Sequence, residues 1–149
     1  MAFLEHHRVS GCPRRRSGES VLANCKQGTF SKSDVSAQGS DYLGRIVNER
    51  NFDRIKGMLD KTKGNIVFGG QKFDRKDKFI ELTIVTDVTR NDSVMQEEIF
   101  GPILPIITVS GIDEAIDVIN GGDKPLSLYI FSTDKAVHDE IIARQSDQI

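Results

Sequence analysis

Three side chains within four positions, Glu97, Glu98 and Phe100, stand beside a Gly101-Pro102 turn and just ahead of the apolar run Ile103 to Val109. Carboxylates accept hydrogen bonds from hydroxyls, and one carboxylate serves two neighbouring hydroxyls well. A phenyl ring presents a flat apolar face to another planar ring. The combination suits a sugar-linked heteroaromatic, as in a nucleotide cofactor. A chain that leaves a turn for a buried strand also keeps the turn at the rim of a sheet, where ligand clefts of α/β proteins open. Glu97 takes the plainer reading of a solvated or structural carboxylate.

Other chemistry-bearing residues are sparse. Cys12 and Cys25 make no disulfide framework, and no Cys-His cluster has metal-ligand spacing, so no metal site is assigned. His6 and His7 lack spaced partners, and His138 falls on an expected surface helix. Gly69-Gly70 has no G-x-G-x-x-G around it to cradle a phosphate. A net charge of −2 gives no general pull toward nucleic acid or anionic membrane. No apolar run has the length of a bilayer span, and the N-terminus lacks the apolar core of a secretory signal. The expected location is the cytoplasm, with reduced thiols.

The elements that position the turn follow from periodicity. Residues 1–40 carry six Lys/Arg against three Asp/Glu, without a sustained pattern, and read as a poorly ordered arm. Residues 41–149 read as the folded part. Ile46, Phe52, Ile55, Met58 and Leu59 at helical spacing predict an amphipathic helix from about Gly44 to Lys61. Asn65 to Phe68 reads as a strand stopped by Gly69-Gly70, Gln71 to Lys78 as a charged connection, and Phe79 to Val88 as one strand or two short ones. Ile103 to Val109 suits a strand covered on both faces, with Pro105 marking a bulge or an early start to the pairing. Ser110-x-x-Asp113 resembles a capping box, ahead of an Ile112, Ala115, Ile116, Ile119 stripe closed by Gly121-Gly122. Leu126 to Phe131 is the next expected strand. Ser132-Thr133-Asp134 caps a last helix bearing Val137, Ile141 and Ile142. The fold class is therefore α/β, with βαβ units around a mostly parallel sheet. So few strands leave an edge open, as in part of a larger unit.

The string Met95-Gln96-Glu97-Glu98-Ile99-Phe100-Gly101-Pro102, continued by Ile103-Leu104-Pro105-Ile106, closely resembles the aldehyde dehydrogenase superfamily. The longer match is to its class 3 branch, which includes the fatty aldehyde dehydrogenases. Gly44-Arg45-Ile46-Val47-Asn48, Phe68-Gly69-Gly70, Asp113-Glu114-Ala115-Ile116 and Lys124-Pro125-Leu126-Ser127-Leu128-Tyr129 support it in order. The resemblance implies oxidation of aldehydes to carboxylic acids with NAD or NADP. It implies a cysteine that attacks the aldehyde and a glutamate that activates water. By the same resemblance Glu98 binds the ribose hydroxyls next to the nicotinamide, and Phe100 packs against the nicotinamide side. It also implies an aldehyde substrate and assembly as a homo-oligomer or with a full-length homologue.

The family's nucleophile lies in an Asn-x-Gly-Gln-x-Cys context, and this sequence contains no such string. Neither Ser10-Gly11-Cys12-Pro13 nor Asn24-Cys25-Lys26-Gln27 replaces it, so no catalytic residue is assigned. The resemblance covers the C-terminal part of a catalytic domain, and the expectation is inherited aldehyde chemistry not carried out by this chain alone. The competing expectation is a non-catalytic nucleotide-binding or oligomerisation module, or an inactive truncated product. A proline usually precedes Thr83 in the family; here Glu81-Leu82 stands instead, which marks the local strand geometry as a point of departure.

Overall fold

The computed structural model of this protein describes residues 2–5, 37–40, 43–123 and 125–145. Cys12, Cys25, His6 and His7 lie outside the described residues. Backbone contacts gather the chain into two compact units, one reaching to Thr108 and, residue 5 aside, one from Val109 onward.

The first unit holds strands β1 (Ala2–Glu5), β2 (Asn65–Phe68), β3 (Phe73–Asp74), β4 (Phe79–Ile80), β5 (Thr83–Thr86) and β6 (Ile103–Val109), with helix α1 (Glu49–Lys61). Four strands form one sheet in the order β1-β6-β5-β2, and β3 with β4 forms a separate hairpin. β5 runs parallel to β6, with Thr83 opposite Ile103 and Val85 opposite Pro105. β2 runs antiparallel to β5 with an irregularity between Ile66 and Phe68. The α/β class holds, and the sheet is mixed rather than mostly parallel. The parallel step from β5 to β6 is made by a loop with a 3-10 turn at Ser93–Met95, not by an α-helix.

Local chemistry explains where the elements begin and end. α1 starts at Glu49, later than the periodicity implied, because Asn48 is extended and its side chain accepts from the Asn51 N–H at 2.8 Å. Ile46 precedes the helix and donates its backbone N–H to the Lys78 carbonyl at 3.0 Å. The buried stripe is Phe52, Ile55, Met58 and Leu59, as spaced. Gly69 and Gly70 both take left-handed backbone, and a Cβ on Gly69 would lie 1.9 Å from the Leu82 carbonyl oxygen. Only glycine turns the chain there. The span Gln71 to Lys78, expected as a plain connection, contains β3 and the turn into β4. That turn closes through Lys78 at φ 54 and an Asp74 carboxylate that accepts from the Asp77 N–H at 3.0 Å.

α1 packs against the 3-10 turn and β4. With Phe79, Ile84, Val85, Val94 and Ile106 it makes the core, each of these being buried. β6 is apolar nearly throughout because it lies inside the sheet, and its recorded pairing with β5 ends at Pro105, which has no N–H to give.

The second unit holds α2 (Ile112–Asn120) and α3 (Lys135–Gln145). The cap ahead of α2 differs from the capping box read from Ser110 and Asp113. Ser110 donates its N–H and its hydroxyl to Glu114, both at 2.7 Å, and Gly111 is the cap residue. Those two donors hold the Glu114 carboxyl below its usual range. Asp134 caps α3 by accepting from the Ala136 N–H at 2.9 Å. The expected strand at Leu126 to Phe131 does not form. Its described backbone is irregular, Leu126 is 98 % and Phe131 93 % exposed, and no described strand lies beside it to take its hydrogen bonds. On α3 only Val137 of the expected face is buried.

Candidate functional site

The loop between β5 and β6 is pinned to α1 at two places. Near the C-terminal end of the helix, the buried Asp92 carboxylate accepts from the Lys63 N–H at 2.8 Å and the Val94 N–H at 3.2 Å. Burial opposes its ionisation, but the Lys63 N–H, the Thr62 hydroxyl, the Val94 N–H and the Ser93 hydroxyl together outweigh it. The net result is a carboxyl below its ordinary range. Ser93 donates its hydroxyl to the Met58 carbonyl at 2.7 Å. Gln96 then steadies the following residues by donating its side-chain amide to the Arg90 carbonyl at 2.8 Å and the Asp92 carbonyl at 3.1 Å.

The second pin is Arg54, midway along α1. Its guanidinium donates to the Ile99 carbonyl at 2.7 Å and to the Glu98 carbonyl at 3.3 Å, and it lies 3.4 Å from a Glu97 carboxylate oxygen. The same side chain donates to Asn51 Oδ1 at 3.3 Å, and Asn51 donates to Asn48 Oδ1 at 3.1 Å. A polar relay thus runs from the cap of α1 to the Glu97–Phe100 turn. Beyond it, Phe100 sits at φ 51, a left-handed conformation that costs an aromatic residue about 1–2 kcal/mol. Gly101 follows against the helix, where a Cβ would come within 2.8 Å of Ile55 Cδ1. Ile103 closes the turn on the Gly101 carbonyl and Thr83 donates to the Pro102 carbonyl, both at 2.8 Å.

Glu98 and Phe100 therefore share one held turn. Glu98 is exposed, and no described residue donates to its carboxylate. Phe100 is 73 % exposed, far more than an apolar residue with a core role. Glu97 is also exposed and pairs with Arg54, which fits the structural reading given to it. Among the described residues no donor occupies the carboxylate oxygens, and an exposed acceptor beside an exposed ring fits the hydroxyls and planar ring of a nicotinamide nucleotide.

One expectation needs correcting. The turn leads into the N-terminal ends of the parallel pair, whereas clefts of open α/β sheets lie outside the carboxyl ends of their strands. The sheet-rim argument does not locate this turn; its own geometry does. The concave surface formed by Ile66 to Gln71 includes neither Glu98 nor Phe100. Sequence reasoning also missed Arg54. The signal was there: Asn48, Asn51 and Arg54 recur at a three-residue interval, on one side of the apolar stripe.

Comparison with known proteins decides the family. The model of the aldehyde dehydrogenase family matches residues 20–146. This chain belongs to the aldehyde dehydrogenase family. It is 47% identical over 109 residues to aldehyde dehydrogenase family 3 member B1 of Rattus norvegicus, covering 73% of this chain and 23% of that protein. It is 48% identical over 105 residues to 4,4'-diaponeurosporen-aldehyde dehydrogenase of Staphylococcus aureus, covering 70% and 22%. Among solved structures, the substrate-bound state of Staphylococcus aureus AldH superposes with a TM-score of 0.68 at 41% identity, over 85% of this chain and 26% of that one. The class 3 affinity is thus seen in the sequence relatives, and the solved structure shares the fold. This chain spans about a quarter of the length of these relatives.

Proposed function

We propose that the Glu97–Phe100 turn holds the ribose and nicotinamide of NAD or NADP for the oxidation of an aldehyde to a carboxylic acid. The observation that carries this reading is an exposed carboxylate, unpaired among the described residues, and an exposed ring on one turn, the ring in a backbone conformation that unassisted phenylalanine avoids. The bound dinucleotide supplies the hydride acceptor. Glu98 accepts hydrogen bonds from the two ribose hydroxyls, and Phe100 lies along the nicotinamide. Together they fix where hydride arrives, which is a gain in orientation. Both coenzymes remain within this reading: a rat relative 46% identical is named as dimeric and NADP-preferring, and a Thermus 1-pyrroline-5-carboxylate dehydrogenase 28% identical is described with bound NAD.

The sequence holds no Asn-x-Gly-Gln-x-Cys string, so the chain assayed alone is expected to bind cofactor without turning over aldehyde. The same reading places the protein in the cytoplasm as a homo-oligomer or with a homologue. Among the described residues no helix is long and apolar enough to cross a membrane. It also divides the chain into an arm over residues 1–40 and a partial catalytic domain over 41–149. The strand Ala2–Glu5 and the family match from residue 20 favour a boundary nearer the N-terminus, which limited proteolysis resolves. The decisive experiment is a fluorescence titration with NADH and NADPH on wild type, Glu98→Gln and Phe100→Ala. Each substitution is expected to weaken binding roughly tenfold, as loss of a charged acceptor or a stacking face does. Unaltered binding in both variants refutes the assignment. Aldehyde-dependent NADH formation abolished by Cys12→Ser or Cys25→Ser would restore a catalytic role to the chain itself.

A further inference from the structure

We propose that Arg54 is a positioning residue that presents Glu98 and Phe100 to the cofactor, an inference that rests on the cofactor site described above. Glu98 and Phe100 make no described hydrogen bonds through their side chains, so their placement depends on backbone. That backbone is fixed from outside the turn. Two successive carbonyls, Glu98 and Ile99, point at one guanidinium, at 3.3 and 2.7 Å. Turning both carbonyls to the same side bends the chain, and the next residue, Phe100, takes the left-handed conformation at φ 51.

The guanidinium is itself aimed. Asn51 accepts from its Nε at 3.3 Å, and the Met58 sulfur lies 3.8 Å from Nη1 on the following helical turn. A planar fork with fixed donor directions satisfies two carbonyls and one helix neighbour at once. An ammonium group is a point charge and does not. The Glu97 contact is different in kind. At 3.4 Å, with its carboxylate side chain 55% exposed, it is a solvated pair that adds little to the placement. Arg54 thus acts through the main chain, and its charge matters less than its shape.

The test uses the full chain and NADH and NADPH as probes. Wild type, Arg54→Ala, Arg54→Lys, Glu97→Gln, Glu98→Gln and Phe100→Ala are compared by cofactor titration, thermal unfolding and amide hydrogen exchange without cofactor. Arg54→Ala is expected to weaken binding roughly tenfold and Arg54→Lys nearly as much, because the fork is lost in both. Glu97→Gln is expected to stay within about twofold of wild type. Exchange should accelerate in Arg54→Ala at the Ile103 and Thr83 amides, which are bonded to the Gly101 and Pro102 carbonyls of this turn, and stay unchanged at Lys63 and Val94. Methylguanidinium should restore binding to Arg54→Ala, a recovery that a general loss of stability would not show. Should Arg54→Ala fail to fold, Arg54→Lys carries the same comparison. Weakened binding in Glu98→Gln with unchanged binding in both Arg54 variants overturns the role of Arg54 and leaves the cofactor site standing. Unchanged binding in Glu98→Gln and Phe100→Ala alike, or none in wild type, overturns both.

Discussion

The runs Ile103 to Val109 and Leu126 to Phe131 are similar in sequence and opposite in fate. Both are short, apolar and rich in residues that favour strands. The first is the interior strand β6, with β1 on one side and β5 on the other. The second stays irregular, with Leu126, Tyr129 and Phe131 exposed. The difference is not in the residues. A strand forms when neighbours take its N–H and C=O groups and cover its faces. Unit by unit the same contrast holds: the unit ending at Thr108 buries most of the core, while the unit from Val109 buries Val109, Ile116 and Val137 among its apolar residues.

That contrast is breakable. Phe79→Ala is expected to cost about 3–5 kcal/mol of stability, read by chemical denaturation, because the ring is fully buried. Phe131→Ser is expected to change stability by less than about 0.5 kcal/mol, being a surface change away from packed groups. Comparable losses at the two positions would mean that Leu126 to Phe131 is packed in solution, and the comparison would fail.

Asp92 sharpens the account of the first unit. Asp92→Asn is expected to cost about 1.5–3 kcal/mol, since it weakens a buried acceptor of several donors. The pH dependence has a definite sign. The folded carboxyl lies below its ordinary value, so its contribution is present above the unfolded pKa, near 3.9, and is lost as pH falls through the folded one. Denaturation midpoints measured downward from neutral pH should converge for wild type and Asp92→Asn. A constant gap would show that the charge is not what matters.

Gly69→Ala is expected to cost more than about 1 kcal/mol, because the new methyl meets the Leu82 carbonyl and the backbone is left-handed. The smallest effect belongs to the second unit. Arg144 bridges Asp113 at 2.5 Å and Glu140 at 3.2 Å on an exposed surface, and Arg144→Ala should leave the unfolding midpoint unmoved. A clear drop would show those helices depending on one another through charge.

How much of this was readable in the sequence depends on how local each cause is. The α1 stripe, β2 with its glycine stop, and β6 all follow from patterns within a few residues. The start of α1 was misplaced because Ile46 continues the helical spacing while Asn48 supplies the cap. The β3–β4 hairpin was hidden by a turn without glycine or proline, although Asp74 is the type of residue that closes such turns. The strand expected at Leu126 to Phe131 failed because periodicity records what a segment could pair with and not whether a partner is present. At the candidate site, residue type and resemblance pointed to Glu98 and Phe100, and the structure places both exposed on one turn. For Arg54 the sequence offered only the three-residue spacing with Asn48 and Asn51; its carbonyl partners lie 44 and 45 residues away, beyond the reach of any local pattern.

The central claim is that one turn receives the nicotinamide ribose, and a titration of ¹⁵N-labelled chain with nicotinamide mononucleotide tests it most directly. The account predicts amide shifts concentrated at Glu98, Ile99, Phe100 and Gly101, and their loss in Glu98→Gln. Shifts centred elsewhere, with this turn silent, would contradict it.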